Sequence, residues 1–328
     1  MKLPSLEPLD SFALLGPGFS DGAPLLLTAL HPDARSPQLV YAPYESSGAN
    51  PRRYRGDIAS ISLELEPEAA APASYILDDS GYAGHIDDIR EAIANGDVYQ
   101  VNFALRARLA PRPGAALAQT LCRRGLPRYF AWVRLPEGDE FVSASPECFF
   151  SIDGDRVRCE PMKGTAAPER EAFLAGSAKD RAELAMITDL MRNDLIPVCQ
   201  PRSVRVVCER RFIHLPYALQ AVSDIEGILA AGLGPLEVLA ALHPGGSVTG
   251  APKRMAMQKI AALESGPRGA YCGSLGYIHG ERARFSILIR TAEKVVNGWR
   301  YGVGGGVVWQ SNAADELREI ELKLGALR

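Results

Sequence analysis

The stretch CEPMKGTAAPEREAFLAGSAKDRAELAMITDLMRNDL, from Cys159 to Leu195, is where the reading of this chain turns. It opens with a lysine in an extended, turn-bounded setting, Pro161-Met162-Lys163-Gly164-Thr165, then passes through a charged loop into a helical pattern over residues 178–192. Ser177 and Asp180 form a start signal close to a capping box, which makes Asp180 a helix-start carboxylate. Glu183 differs, because on a 3.6-residue period it shares a face with the inward-pointing Ile187 and Leu190. A carboxylate on an apolar stripe needs a partner, since an unpaired buried charge is forced to neutralise. A buried ion pair and a metal ligand both meet that need.

Working outward, residues 129–135 and 140–144 alternate as strands around the turn Pro136-Glu137-Gly138-Asp139, and 148–152, 157–160 and 204–209 continue the pattern. A helix is predicted from Asp79 or Ser80 to Gly96, with Ile86, Ile89 and Ile93 on one face. The following GDVYQVNFALRARL reads as a strand and 115–124 as a short helix. Downstream, 235–242 and 251–264 read as helices with Pro235 and Pro252 in the permissive first turn. Residues 270–279, 284–292, 299–302 and 307–309 read as strands, and 313–324 as a final helix. Strands come in blocks and hairpins rather than in βα alternation, which predicts an α+β fold with large antiparallel sheets. The first 75 or so residues carry short β-like runs, and 64–74 (ELEPEAAAPAS) reads as a connector.

At 328 residues the chain accommodates one large core or two domains. A net charge of −3 gives no reason to expect nucleic acid or an acidic membrane as partner. The six cysteines are scattered without a CxxC pair, which reads as reduced thiols in a cytoplasmic protein. The start MKLPSLEPLDSF lacks the apolar core of a signal peptide, and no apolar run reaches the ~18 residues needed to span a bilayer.

Further residues invite chemistry. In the last helix Glu316, Glu319 and Lys323 share a face; Glu319 and Lys323 alone make an ordinary i, i+4 pair. Set opposite a second carboxylate-bearing helix, they supply the oxygen ligands that Mg²⁺ takes. The tract at residues 302–306 (GVGGG) reads either as an anion-binding backbone or as a tight turn. The run GGSVTGAPK at 245–253 fails as a phosphate loop, because Ala251 and Pro252 separate its last glycine from Lys253. His243, just before it, reads as a loop histidine. Arg290, in the apolar run FSILIRT, is a solvated strand end or a bidentate carboxylate clamp. Lys163 is a solvated loop residue or, if desolvated, a nucleophile. Glu147, at the end of a strand region, is a candidate general acid.

Taken together, nine ordered segments resemble the chorismate-utilising enzymes from about Gly84 onward: GDVYQVNF, SASPECFF, PMKGT, KDRAELAMITDLMRND, HPGGSVTGAPKRMAM, AYCGSLGY, FSILIRT, VGGGVV and ELREIELK. The resemblance implies a four-layer α/β/β/α sandwich of two large antiparallel sheets, with a short N-terminal segment over 1–80 and a catalytic core over 81–328. It implies chorismate as substrate and Mg²⁺ held by Glu183, Glu319 and Glu316. Arg290, Tyr277 and the Gly304 and Gly305 amides would take the enolpyruvyl carboxylate. Thr165, His243 and Lys323 would approach the ring and its carboxylate, and Glu147 would help the ring hydroxyl leave. Lys163 resembles the lysine of those members that aminate chorismate at C4 with ammonia from a glutamine amidotransferase partner. Anthranilate, isochorismate and salicylate synthases typically have a small residue there, and these activities are the alternatives. A non-catalytic, partner-binding subunit of the same fold is a further one. Arg284 and Gln310 stand where the family often has aspartate, and Ile196-Pro197 replaces a common Gly-Arg.

Overall fold

Gln100–Leu109 and Gly298–Val307 run antiparallel side by side, and a hydrogen-bonded network extends from this pair through most of the chain. The structure, a computed structural model, describes residues 6, 9–20, 22–46, 48–61, 63, 71–167, 169–215 and 218–328. From Gly298–Val307 the network passes to Thr291–Val295, Glu140–Ser145, Tyr129–Arg134 and Phe12–Leu15. It continues through Leu25–Pro32, Arg52–Ser60, Leu39–Ala42 and Ser274–His279. Arg282–Ile287, Cys148–Asp153, Arg156–Cys159 and Ala218–Ile228 complete it, with Arg205–Leu215 and Met162–Ala166 paired to the last.

Every pairing named here is antiparallel, and the two halves of the network face each other. Tyr41 of one half packs on Phe141 of the other, ring centroids 5.0 Å apart. Leu15, Leu27, Leu39, Val133 and Leu275 fill the space between. Helices α1 (Tyr82–Ala94), α2 (Gly114–Leu121), α3 (Glu171–Gly176), α4 (Ala178–Leu195), α5 (Pro235–Leu242), α6 (Lys253–Leu263) and α7 (Ala313–Leu324) cover the outer faces. α1, α2, α6 and α7 lie over the half built on Gln100–Leu109; α3 and α4 lie over the half that ends in Ala218–Ile228, with α5 against α4. The expected α+β sandwich of four layers is present, its two sheets joined edge to edge into one network.

Local chemistry explains where the elements begin. The Ser177 hydroxyl accepts the Asp180 N–H at 3.2 Å and starts α4; Asn312 does the same for Asp315 at 3.0 Å and starts α7. The Gly234 N–H donates to Glu237 at 2.9 Å where α5 opens on Pro235. Pro252, expected inside α6, is instead its N-cap, because Gly250–Ala251 is spent on a short ladder with Val101 and Gln100.

Two strand readings are corrected. The run expected over 284–292 breaks at residues 288–290, where Arg290 adopts φ +52°. The glycine tract expected between two strands lies inside the single strand Gly298–Val307. The connector expected at 64–74 falls, through residue 70, outside the described residues.

Candidate active site

A cleft of about 630 Å³ opens between the strand Met162–Ala166 with α4 on one side and the strand Gly298–Val307 with α7 on the other. Its size suits a small organic ligand. Lys163, Thr165, Glu147, Glu183, Arg290, Gly304, Gly305, Glu319 and Lys323 all line it, from six separate elements or loops.

Lys163 is aimed by an irregularity. The pairing of Met162–Ala166 with Ala218–Ile228 shifts register between Met162 and Thr165, and Gly164 adopts φ +82° there. A bulge of this kind re-aims a neighbouring side chain, and only glycine takes that backbone without strain. Lys163 is thereby half-buried against the cleft, while Thr165 sits exposed at its mouth. Burial, above all, lowers the Lys163 pKa, and Lys323 adds to the shift; Glu183, Glu147 and Glu319 oppose it.

Glu147 is the counterpart. It is buried, its Oε1 accepts the Ser247 hydroxyl at 2.8 Å, and burial raises its pKa to about 7 against the opposing pull of Ser247 and Lys163. A carboxyl group poised near neutrality is a competent proton donor.

Three further carboxylates belong to the two facing helices. A Cβ on Gly305 would lie 3.4 Å from Glu316 Oε2, 3.6 Å from Glu319 Oε1 and 3.7 Å from Lys323 Nζ, so these groups converge on the space left by a missing side chain. Glu183 faces the same charges: burial raises its pKa, and Asp180 and Glu319 push it further against Lys163 and Lys179. Glu316, buried and hydrogen-bonded to Ser311 at 2.6 Å, is also raised by burial, and Glu319 adds to this. Burial acts upward on Glu319 too, but Lys323, with Lys163 and Lys179, outweighs it and holds the group below its usual value.

Among the described residues no three acidic, histidine or cysteine side chains are already gathered as a closed metal cluster. Glu319 is held by Lys323 at 2.7 Å and Glu183 by Lys179 at 3.9 Å. Glu316 and Glu319 beside a side-chain-free space, with Glu183 lining the same cleft, nevertheless make a carboxylate set that fits a hard cation such as Mg²⁺ once those lysines yield.

The glycine strand offers backbone donors along an open edge. Lys323 Nζ donates to the Gly304 carbonyl at 2.6 Å, so the backbone groups of Gly304 point away from the Gln100–Leu109 ladder. Opposite them, the N–H of Ala104 goes to Glu264 and that of Asn102 to the Thr249 carbonyl, at 3.0 and 2.8 Å. Backbone direction alternates along an antiparallel strand. The Gly304 and Gly306 amides therefore face the open edge, and the Gly305 amide, expected as a donor, faces the ladder.

Two other expectations are also displaced. Tyr277 points into the core with Leu39 and Leu275; Tyr271 lines the cleft instead, against Gly302. Both tyrosines sit in AYCGSLGY six residues apart, so strand alternation would put them on one face; the strand begins only at Ser274, and the left-handed Cys272 (φ +64°) before it turns Tyr271 elsewhere. His243 lies off the cleft, its ring held between the Ser274 hydroxyl at 2.9 Å and the Pro43 carbonyl at 3.0 Å. Burial lowers its pKa to about 4, leaving a neutral structural imidazole. Gln220, which the sequence reading missed, occupies the cleft wall from the strand Ala218–Ile228 with its Oε1 unpartnered. Acidic residues inside that strand, Asp224 and Glu226, hide its apolar pattern.

With cleft and fold in place, the chain belongs to the chorismate binding enzymes: the model of that family matches residues 44–328. It is similar to an aminodeoxychorismate synthase of Streptomyces pristinaespiralis, 39% identical over 262 residues, which cover 75% of this chain and 36% of that protein. It is also similar to an anthranilate synthase component 1 of Haloarcula marismortui, 35% identical over 277 residues, covering 81% and 55%. A solved menaquinone-specific isochorismate synthase of Escherichia coli shares the fold, with a TM-score of 0.77 over 100% of this chain and 92% of the other at 18% identity. The chain spans 36% to 65% of the length of the curated relatives it matches. Among the described residues no helix is long and apolar enough to cross a membrane.

Proposed function

We propose that this chain is an aminodeoxychorismate synthase component I, acting in the cytoplasm and replacing the C4 hydroxyl of chorismate by an amino group. The reading rests on one observation: a desolvated lysine amine and a buried acid with a pKa of about 7 share a cleft with the acids of two facing helices. Glu183, Glu316 and Glu319 would hold Mg²⁺, which would neutralise and orient the ring carboxylate. Arg290, Tyr271 and the free amides of Gly304 and Gly306 would take the enolpyruvyl carboxylate, and Thr165 and Lys323 would approach the ring.

In this mechanism the neutral Lys163 amine attacks C2. The two ring double bonds shift toward C4, and the hydroxyl leaves as water with the proton of Glu147. Ammonia then adds at C4, the double bonds return, and the C2–Nζ bond breaks with its electrons going back to Lys163. The new C4 ammonium hands a proton to Glu147, which restores the acid. An amine stationed at C2 also blocks nitrogen from entering there. A glutamine amidotransferase partner would deliver the ammonia.

The test incubates the protein with chorismate, Mg²⁺ and an ammonium salt, identifies the product by chromatography and weighs the intact protein. A 4-amino-4-deoxychorismate product and a Lys163 adduct, both lost in Lys163→Ala, are expected. Full C4 amination by Lys163→Ala would rule out the nucleophile. Anthranilate synthesis is the second reading, favoured by the Haloarcula relative covering 81% of the chain, and a 2-amino aromatic product would establish it.

A further inference from the structure

Asn102 stands on the cleft wall with every polar group engaged but one. Its N–H donates to the Thr249 carbonyl at 2.8 Å, and its own carbonyl accepts from Arg268 at 2.7 Å. Its side-chain Nδ2 donates to the Ser247 carbonyl at 3.3 Å. A carbonyl oxygen can only accept, so this contact fixes which end of the amide is nitrogen. Asn102 Oδ1 is left buried without a hydrogen-bond partner, on a residue 7% exposed that lines the cleft. A buried acceptor without a donor is costly and calls for one from a ligand.

The amination reading above, on which this inference rests, narrows what that donor is. Chorismate is a dianion with a single hydroxyl donor, and that hydroxyl is the group that departs. Ammonia brings three N–H donors. Asn102 and Glu147 share an anchor: Ser247 holds Asn102 through its backbone carbonyl and Glu147 through its hydroxyl, and all three residues line the cleft. Where the hydroxyl leaves is where nitrogen must arrive.

We infer that Asn102 Oδ1 is the acceptor that holds ammonia for its attack on C4. One N–H donates to this oxygen and the nitrogen lone pair stays free to form the C4–N bond. Gln220 Oε1, a second unpartnered acceptor, lies on the Thr165 side of the cleft, where Gln220 pairs with Thr165.

The experiment measures half-saturating ammonium and chorismate concentrations, and the Lys163 adduct by intact mass, for wild type, Asn102→Leu and Asn102→Ala. Thermal unfolding of each protein accompanies the kinetics, and the alanine variant serves if leucine does not fold. Loss of one neutral hydrogen bond should raise the ammonium requirement by about five- to tenfold. The chorismate requirement should stay within about twofold, and the adduct should form as before. An unchanged ammonium requirement, or a parallel rise for chorismate, overturns the assignment while leaving the amination reading intact. A wild-type protein that makes no 4-amino product overturns both.

Discussion

Lys323 donates a 2.6 Å hydrogen bond to the carbonyl oxygen of Gly304, and this contact ties the last helix to the open edge of the glycine strand. The same amine holds Glu319 at 2.7 Å, so one cation sets both the edge that offers amides and a carboxylate expected to bind metal. Hydrogen bonds to charged groups contribute about 1.5–3 kcal/mol.

Lys323→Met should therefore weaken chorismate binding at saturating Mg²⁺ by at least about tenfold, read by calorimetry. Global stability should fall by up to about 3 kcal/mol for the lost Gly304 hydrogen bond, while the partly exposed Glu319 pair adds roughly 0–1 kcal/mol. Unchanged binding would remove Lys323 from the site.

Glu147 gives a pH signature. Its folded pKa of about 7 lies above the ordinary 4.5, so the folded protein holds a proton there that the unfolded chain has released. Stability from this group is complete below about pH 4.5 and is lost as pH rises through 7, by roughly 3 kcal/mol. Glu147→Gln should melt higher than wild type at pH 8, with the difference closing on acidification. Its amination rate should fall by about 10²–10⁴-fold. A wild-type rate that does not drop above pH 7 would contradict the acid role.

Neighbouring glycines should respond in opposite ways. A methyl on Gly305 meets only side-chain ends at 3.4 Å or more, but occupies the space on which Glu316 and Glu319 converge. Gly305→Ala should keep its melting temperature and lose Mg²⁺ affinity. Gly302→Ala places its methyl 2.1 Å from the Tyr271 ring and should lower the melting temperature instead. The comparison needs only thermal scans and metal titration, and a Gly305→Ala protein with normal Mg²⁺ affinity would place the ion elsewhere.

Gly164→Ala tests the bulge. At φ +82°, with Leu174 and Asp180 at 2.9 and 3.0 Å from the added methyl, alanine is strained and crowded. A loss of about 1–2 kcal/mol in denaturant unfolding is expected. The Lys163 adduct should diminish with it, since the bulge is what turns the amine inward. An adduct of full yield would show that Lys163 finds the cleft without this device.

Most elements were legible because their signals are local. The isoleucines of α1, the cap of α4 and the turn at Gly138 each act over a few residues, and each stands where periodicity puts it. The strand Ala218–Ile228 was not legible: ten of its eleven residues are buried, charged ones included, so no alternation survives. Asp224 is satisfied there by Arg211 at 2.6 Å and Glu226 by Arg156 at 3.0 Å, partners that sequence spacing does not reveal.

By itself the sequence determined the layered α+β architecture, the family and most of the residues that meet in the cleft, since caps, periodicity and ordered motifs are written along the chain. Tertiary structure alone decided between Tyr271 and Tyr277, took His243 out of the cleft, and turned the Gly306 rather than the Gly305 amide to its edge. These are questions of which way a group faces. The answer depends on register, on a bulge at Gly164 and on a left-handed Arg290, all imposed by strands distant in sequence.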